Sequence, residues 1–343
     1  MTQQETTLER ATKSVQGEWR QTRETPLRRF VLTNRASLGS LAVFLIMLMV
    51  FVIANPSVFT SWTLYSSVLT TLPVAIFLTV PLVFVVTVGE IDLSFPATMG
   101  VAAWMFALVV HAGFDPFVGF AAALVTGAAL GAFVGSLVVY VNLSSLIATL
   151  GMNFVLRGLI QIFTEGKSIA FPEISESLAF KLFSSELAGI PVQIFWAIAF
   201  TVFSVLLFNR HRFGVYVQIV GDNPDSASQM GIDVKRVRVM SFVFVGISAA
   251  IAGVFSTMIN FTWWPTAGDG YMLPVLASVF VGGTPTWGGI GTVFGGAIGA
   301  LTVAFIQTGI VGVGFSGFYV QFFNGLIIIL SLIGHRWNQI RYR

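Results

Sequence analysis

The chain has 343 residues, of which 55% are hydrophobic and only 10% charged, whereas an ordinary soluble domain carries about 25% charged residues. So few charges cannot cover a water-facing surface, which excludes a soluble enzyme and points to a chain solvated mostly by lipid. Zero cysteine excludes disulfides, thiolate metal sites and thiol catalysis, and a net charge of +3 gives no support for a nucleic-acid partner.

In chain order, a polar segment at 1–37 reads as a cytosolic tail and lacks the early apolar run of a signal peptide. Ten apolar runs then predict membrane-crossing helices: 38–54, 64–88, 96–112, 117–140, 144–164, 190–208, 239–260, 271–287, 292–312 and 317–334. The second contains Pro73 and Pro81 and is expected to kink or break. The eighth is short and runs into a Gly/Pro/Thr stretch. The segment 165–189 carries apolar residues at loosely helical spacing and is expected to form a helical cap on the outer, periplasmic face. The transmembrane domain is thus predicted over 38–335, with a tail at 336–343. The fold class is all-α and polytopic.

Charge placement orients the chain. Of the 18 Lys and Arg, 15 fall in the segment before the first run, in the 209–238 loop and in the tail after Gly334. Ten crossings put those three segments on one side, and basic residues mark the cytosol. The expectation is a multi-pass protein with both termini inside. Two glycine ladders, Gly127/Gly131/Gly135 and Gly291/Gly295/Gly299, each line one helix face where another backbone can approach. They occupy matching places if spans 2–5 and 7–10 are repeats of opposite topology, a transporter feature.

Three segments carry the remaining information. The first is Gly89-Glu90-Ile91-Asp92-Leu93-Ser94, with two carboxylates between spans; it reads either as a break lining a path or as a structural turn. Pro96 suits a first helical turn and Ser94 is placed to cap it. The second is Gly221 to Ile232. Asp222 or Asn223 caps a helix opened by Pro224, Asp225 favours its start, and Gly231 stops it. A tether between spans has no need of a stiff two-turn helix, whereas a docking surface for a cytosolic partner does. The third is Gly282-Gly283-Thr284-Pro285-Thr286-Trp287-Gly288-Gly289-Ile290-Gly291, where glycine density lets the chain turn sharply and re-enter the bilayer. No GxxxxGK[ST] or metal-ligand cluster occurs, so no nucleotide, metal or other cofactor is expected on this chain.

Together the three segments resemble the motifs of permease subunits of ribose-type ATP-binding-cassette importers, approximately GGIDLS, GxNxxAAxxxGI and GGxSxxGGxGxxxG, in the same order over residues 40–335. This chain departs at Glu90, where Gly is more usual, at Ser226-Ala227 in place of Ala-Ala, and at Thr286, where the Ser is offset by Pro285. The resemblance implies a type II importer permease fold with inverted repeats in the bacterial inner membrane. It implies a homodimer, a separate cytosolic ATPase that holds ATP and Mg, and an external binding protein that delivers a sugar or similar small polar solute. It places ATPase docking on the coupling helix Pro224, Asp225, Ser226, Ala227, Ser228, Gln229, Met230 and Gly231, so that an arginine at Ala227 is expected to block docking.

Candidates for the translocation path are Glu90, Asp92, Asn153, Arg157, Trp263, Trp264, Gln321 and Asn324, with Asp269 near the outer mouth. Arg157 needs a partner inside the membrane, for which Glu90 or Asp92 is the expected source. Two other readings stand beside this one. An ion-coupled secondary transporter would use Glu90, Asp92 and Arg157 as a relay, and a permease of the same fold would carry amino acids or another small polar solute.

Overall fold

The computed structural model describes residues 35–341. The expectation for the N-terminal tail therefore lies almost wholly outside the described residues. Helix α1 (Arg35–Ala54) is followed by a short α2 (Pro56–Phe59) and by α3 (Trp62–Thr87), α4 (Phe95–His111), α5 (Pro116–Val139) and α6 (Ser145–Thr164). After an irregular segment containing α7 (Leu178–Phe183) come α8 (Val192–Arg210), α9 (Arg212–Asp222), α10 (Pro224–Gln229) and α11 (Val234–Asn260). The chain closes with α12 (Met272–Val281), α13 (Val293–Gly312) and α14 (Phe318–Arg341). Eight of these are long and apolar enough to cross a membrane, while α4 and α12 are shorter apolar helices. The segment predicted as a C-terminal tail continues α14 as far as Arg341.

Each predicted run holds one helix, with two differences. Helix α3 is continuous through Pro73 and Pro81 rather than broken. Proline 81 cannot donate to the carbonyl four residues back, that of Phe77. The Ser248 hydroxyl of α11 donates to that carbonyl instead, so the freed acceptor is satisfied from a neighbouring helix. The eighth run is a helix only over Met272–Val281. Ten residues rise about 15 Å, half of a hydrocarbon core about 30 Å thick. Irregular segments on either side of α12 must carry the rest of the crossing.

The two halves, α3–α6 and α11–α14, pack in a reciprocal pattern. The first helix of each half lies against the third of the other, α11 on α5 and α3 on α13. Within each half the second helix packs on the third and the fourth, α4 on α5 and α6, α12 on α13 and α14. Helix α8 separates the halves in sequence. The glycine ladders do not follow this symmetry. Gly127 and Gly131 face the α11 backbone at Gly246 and Phe242, and Gly135 meets the Phe242 side chain. Gly295 and Gly299 face the α12 carbonyls of Gly282 and Ser278 instead, and Gly291 meets Thr87 of α3. Both ladders admit close neighbours, as small residues on a helix face should, but the neighbours are not equivalent.

The cap at 165–189 holds α7 and one strand of each of two two-residue pairs. Strand β1 (Ile169–Ala170) pairs antiparallel with β4 (Thr262–Trp263), and β2 (Glu186–Leu187) with β3 (Ile190–Pro191). Helix α7 is capped by Ser177, whose Oγ accepts from the Phe180 N–H at 3.1 Å. Phe171, Ile174, Ala179 and Phe183 are buried, so the segment is packed onto the bundle rather than tethered above it.

Candidate functional site: a broken-helix junction and a glycine knot

The segment between α3 and α4 is extended, and helix α6 holds it. Ser145, Thr149, Asn153 and Arg157 recur every four residues and form one polar stripe. The Ile91 N–H donates to Ser145 Oγ at 3.2 Å and the Leu93 N–H to Thr149 Oγ1 at 2.9 Å. Asn153 Nδ2 donates to the Leu93 carbonyl at 2.7 Å. Backbone that has left its helix inside a membrane protein needs such partners, and this stripe supplies them in register. Asp92 is buried, and its Oδ1 accepts from the Ser94 N–H at 2.7 Å and the Ser94 hydroxyl at 2.6 Å. The Ser94 hydroxyl therefore serves Asp92 and does not cap α4, as the sequence led one to expect.

Arg157 ends the stripe and does not pair with Glu90 or Asp92. Its guanidinium donates to the carbonyls of Ala267 at 2.7 Å and Pro96 at 3.2 Å, and it pairs with Asp269 at 2.8 Å. It thus ties the start of α4 to the turn before α12. That turn approaches so closely that a side chain on Gly268 (φ +87°) would strike the Pro96 carbonyl. The non-helical leads into α4 and α12, the second helices of the two halves, therefore meet each other. Paired broken helices at a repeat interface are where transporters place their solute and ion sites. Glu90 finds a different partner, Arg238 of α11, at 3.3 Å with both side chains largely buried.

Of the other predicted path residues, Trp263 borders this junction through Gly100 of α4, where an added Cβ would lie 2.8 Å from the Ala267 carbonyl and 3.3 Å from the Arg157 guanidinium. Trp263 is fully buried. It stacks on Trp104 at a centroid distance of 6.1 Å and donates to the Gly100 carbonyl at 3.1 Å. Trp264 is half exposed. Gln321 and Asn324 lie on α14, which packs on α12 and α13. Gln321 is exposed, while Asn324 is buried with its Oδ1 unbonded. Ser145, Thr149 and the 265–268 turn escaped the sequence reading. The four-residue spacing of the stripe was the available signal, and only its last two members stood out.

The three glycine-bearing motifs converge at one point. The Gly289 N–H donates to the Thr87 carbonyl at 2.8 Å. A Cβ on Gly221 would collide with that same carbonyl and lie 2.6 Å from Gly289 N. Gly288, at φ +82°, presses on the Gly221 carbonyl and on Gly89 Cα. The end of α3, the end of α9 and the loop before α13 thus share a backbone-to-backbone contact that only glycine permits. Gly288 and Gly289 of the 282–292 loop are held in this knot, while Thr286, Trp287 and Ile290 are exposed.

From the knot projects the capped helix α10. Asn223 Oδ1 accepts from the Ser226 N–H at 3.0 Å, Pro224 opens the helix, and Gly231 at φ +79° stops it. Asp225, Ser226, Ser228, Gln229 and Met230 are exposed. Ala227 is fully buried against its own chain, so an arginine there would disturb packing and not probe a docking face.

Comparison with known proteins identifies the family. Residues 64–332 match the family described as branched-chain amino acid transport system, permease component. The ribose import permease protein RbsC of Escherichia coli strain K12 is 29% identical over 86% of this chain and 92% of its own length. RbsC of Bacillus subtilis strain 168 is 31% identical over 73% of this chain and 77% of its own. The D-allose transport system permease protein AlsC of Escherichia coli K12 is 32% identical over 66% and 69%, and the autoinducer 2 import system permease protein LsrC of Salmonella typhi 29% over 89% and 86%. No solved structure matches the chain. With well over half of its length matched, and with apolar helices, broken-helix junction and glycine knot in place, the chain belongs to this permease family and is a multi-pass membrane transport subunit, not an enzyme.

Proposed function

We propose that this chain is the permease of an ATP-driven importer for a sugar or a similarly small polar solute. The observation that carries the reading is the glycine knot. It joins an exposed, rigidly capped helix directly to α3 and to the loop before α13, hence to both halves of the bundle. A cytosolic ATPase pushing on α10 would move both halves at once, with no flexible linker to absorb the stroke. In this reading the 209–238 loop and both termini are cytosolic, two copies enclose the path, and an external binding protein delivers the solute. ATP and Mg are held by the ATPase, and no cofactor is held here.

The names of the relatives, for ribose, D-allose and autoinducer 2, support a sugar or similarly small polar solute. So does the junction: Arg157 and Asp269 neutralise each other, and an amino acid's ammonium and carboxylate would have to compete with that pair.

The docking assignment has a direct test. Met230 is 67% exposed at the end of α10, where an apolar anchor at an interface centre is typically worth about 2 kcal/mol or more. Met230→Glu is expected to abolish co-purification of the ATPase while the permease keeps its thermal stability. Unchanged co-purification would place the docking surface elsewhere.

A further inference from the structure

An apolar groove of about 520 Å³ runs between α8, α9 and α11, away from both the junction and the knot. Its walls include Leu207, Phe213, Val243, Phe244 and Ile247, and its rim carries Arg212, Arg236, His211 and Asp233. The two arginines are exposed and make no ion pair among the described residues. Asp233, the one acid among these rim residues, is held by capping α11, its Oδ1 accepting from the Arg236 N–H at 3.0 Å, and it offsets one of the two arginine charges. His211 Nδ1 likewise accepts from the Phe213 N–H, which leaves its other ring nitrogen facing outward.

We propose that this groove binds an anionic phospholipid, with the phosphate between Arg212 and Arg236 and one acyl chain along α11 toward Ile247. Length and charge both choose this occupant. From Arg236 to Ile247 the helix rises about 16 Å, one leaflet of a core about 30 Å thick. The charges stand at one end only, where two arginines outnumber one aspartate and a headgroup would lie, and the rest of the groove is mostly hydrocarbon. A protein partner would have no need of a match to leaflet depth. The site is independent of which solute crosses and of whether ATP drives it.

Native mass spectrometry of the full chain, purified into micelles doped with phosphatidylglycerol or phosphatidylcholine, reads the bound lipid. Phosphatidylglycerol is expected to be retained and phosphatidylcholine lost. Arg212→Ala and Arg236→Ala should each weaken retention about fivefold, and the double variant about multiplicatively. Ile247→Trp fills the apolar end with the charges intact and should also lower retention. Equal retention of the two lipids, or retention unaffected by the double arginine variant, would overturn the proposal. So would disulfide cross-linking of two copies through Met240→Cys in lipid membranes, which would show a second chain in the groove.

Discussion

Gly221→Val is expected to abolish transport and to destabilise the permease by more than about 3 kcal/mol, beyond the usual cost of overpacking. The added side chain would meet the Thr87 carbonyl and the Gly289 amide. Both are backbone atoms fixed by their own hydrogen bond, so neither can rotate aside as a flexible side chain would. Gly221→Ala is expected to move in the same direction, because the collision involves the β-carbon itself. Gly158→Ala on α6 is the matched control. Nothing lies within 4 Å of the carbon it adds, and helix propensity makes alanine favourable by up to about 1 kcal/mol. Thermal unfolding of the two variants beside the wild type checks this. A Gly221→Val protein as stable as Gly158→Ala would dissolve the knot as a structural element.

Arg157→Ala is the second large effect, expected at about 2–4 kcal/mol of lost stability. It strands the Ala267 carbonyl, a loss of about 1–3 kcal/mol, and removes a further bond from the Pro96 carbonyl, which keeps its place in the first turn of α4. Asp269→Asn removes the ion pair alone and is expected to cost less than about 1 kcal/mol. The Asp269 side chain is 58% exposed, so water already screens that pair. The contrast is the informative part. Comparable losses in the two variants would mean that the salt bridge, not the carbonyl brace, holds the broken helices together.

Helix existence was legible because apolar runs of membrane length have few other uses. Runs α1, α3, α5, α6, α8, α11, α13 and α14 needed nothing more. The fine geometry was legible only where it is local. Asn223, Pro224 and Gly231 specify α10 by their own backbone preferences, and the structure places cap, start and stop on those residues. Partnerships across the chain were not legible. Glu90 reaches Arg238 and Arg157 reaches Asp269, pairs separated by more than a hundred residues, and no spacing rule chooses among the available charges. The continuity of α3 through Pro81 was invisible for the same reason, since its compensation is a hydroxyl on α11. The knot is the extreme case: Gly89, Gly221 and Gly288 fell in three separately read segments, and what they share is a backbone contact that leaves no side-chain signature.

The most direct test is solute uptake by proteoliposomes that hold the wild-type chain, with its ATPase and binding protein either present or omitted. The account predicts sugar uptake only with all components and internal or external ATP on the ATPase side, and none driven by a proton or sodium gradient across liposomes of the chain alone. Gradient-driven uptake by the isolated chain, with Glu90→Gln abolishing it, would contradict the account and favour an ion-coupled transporter.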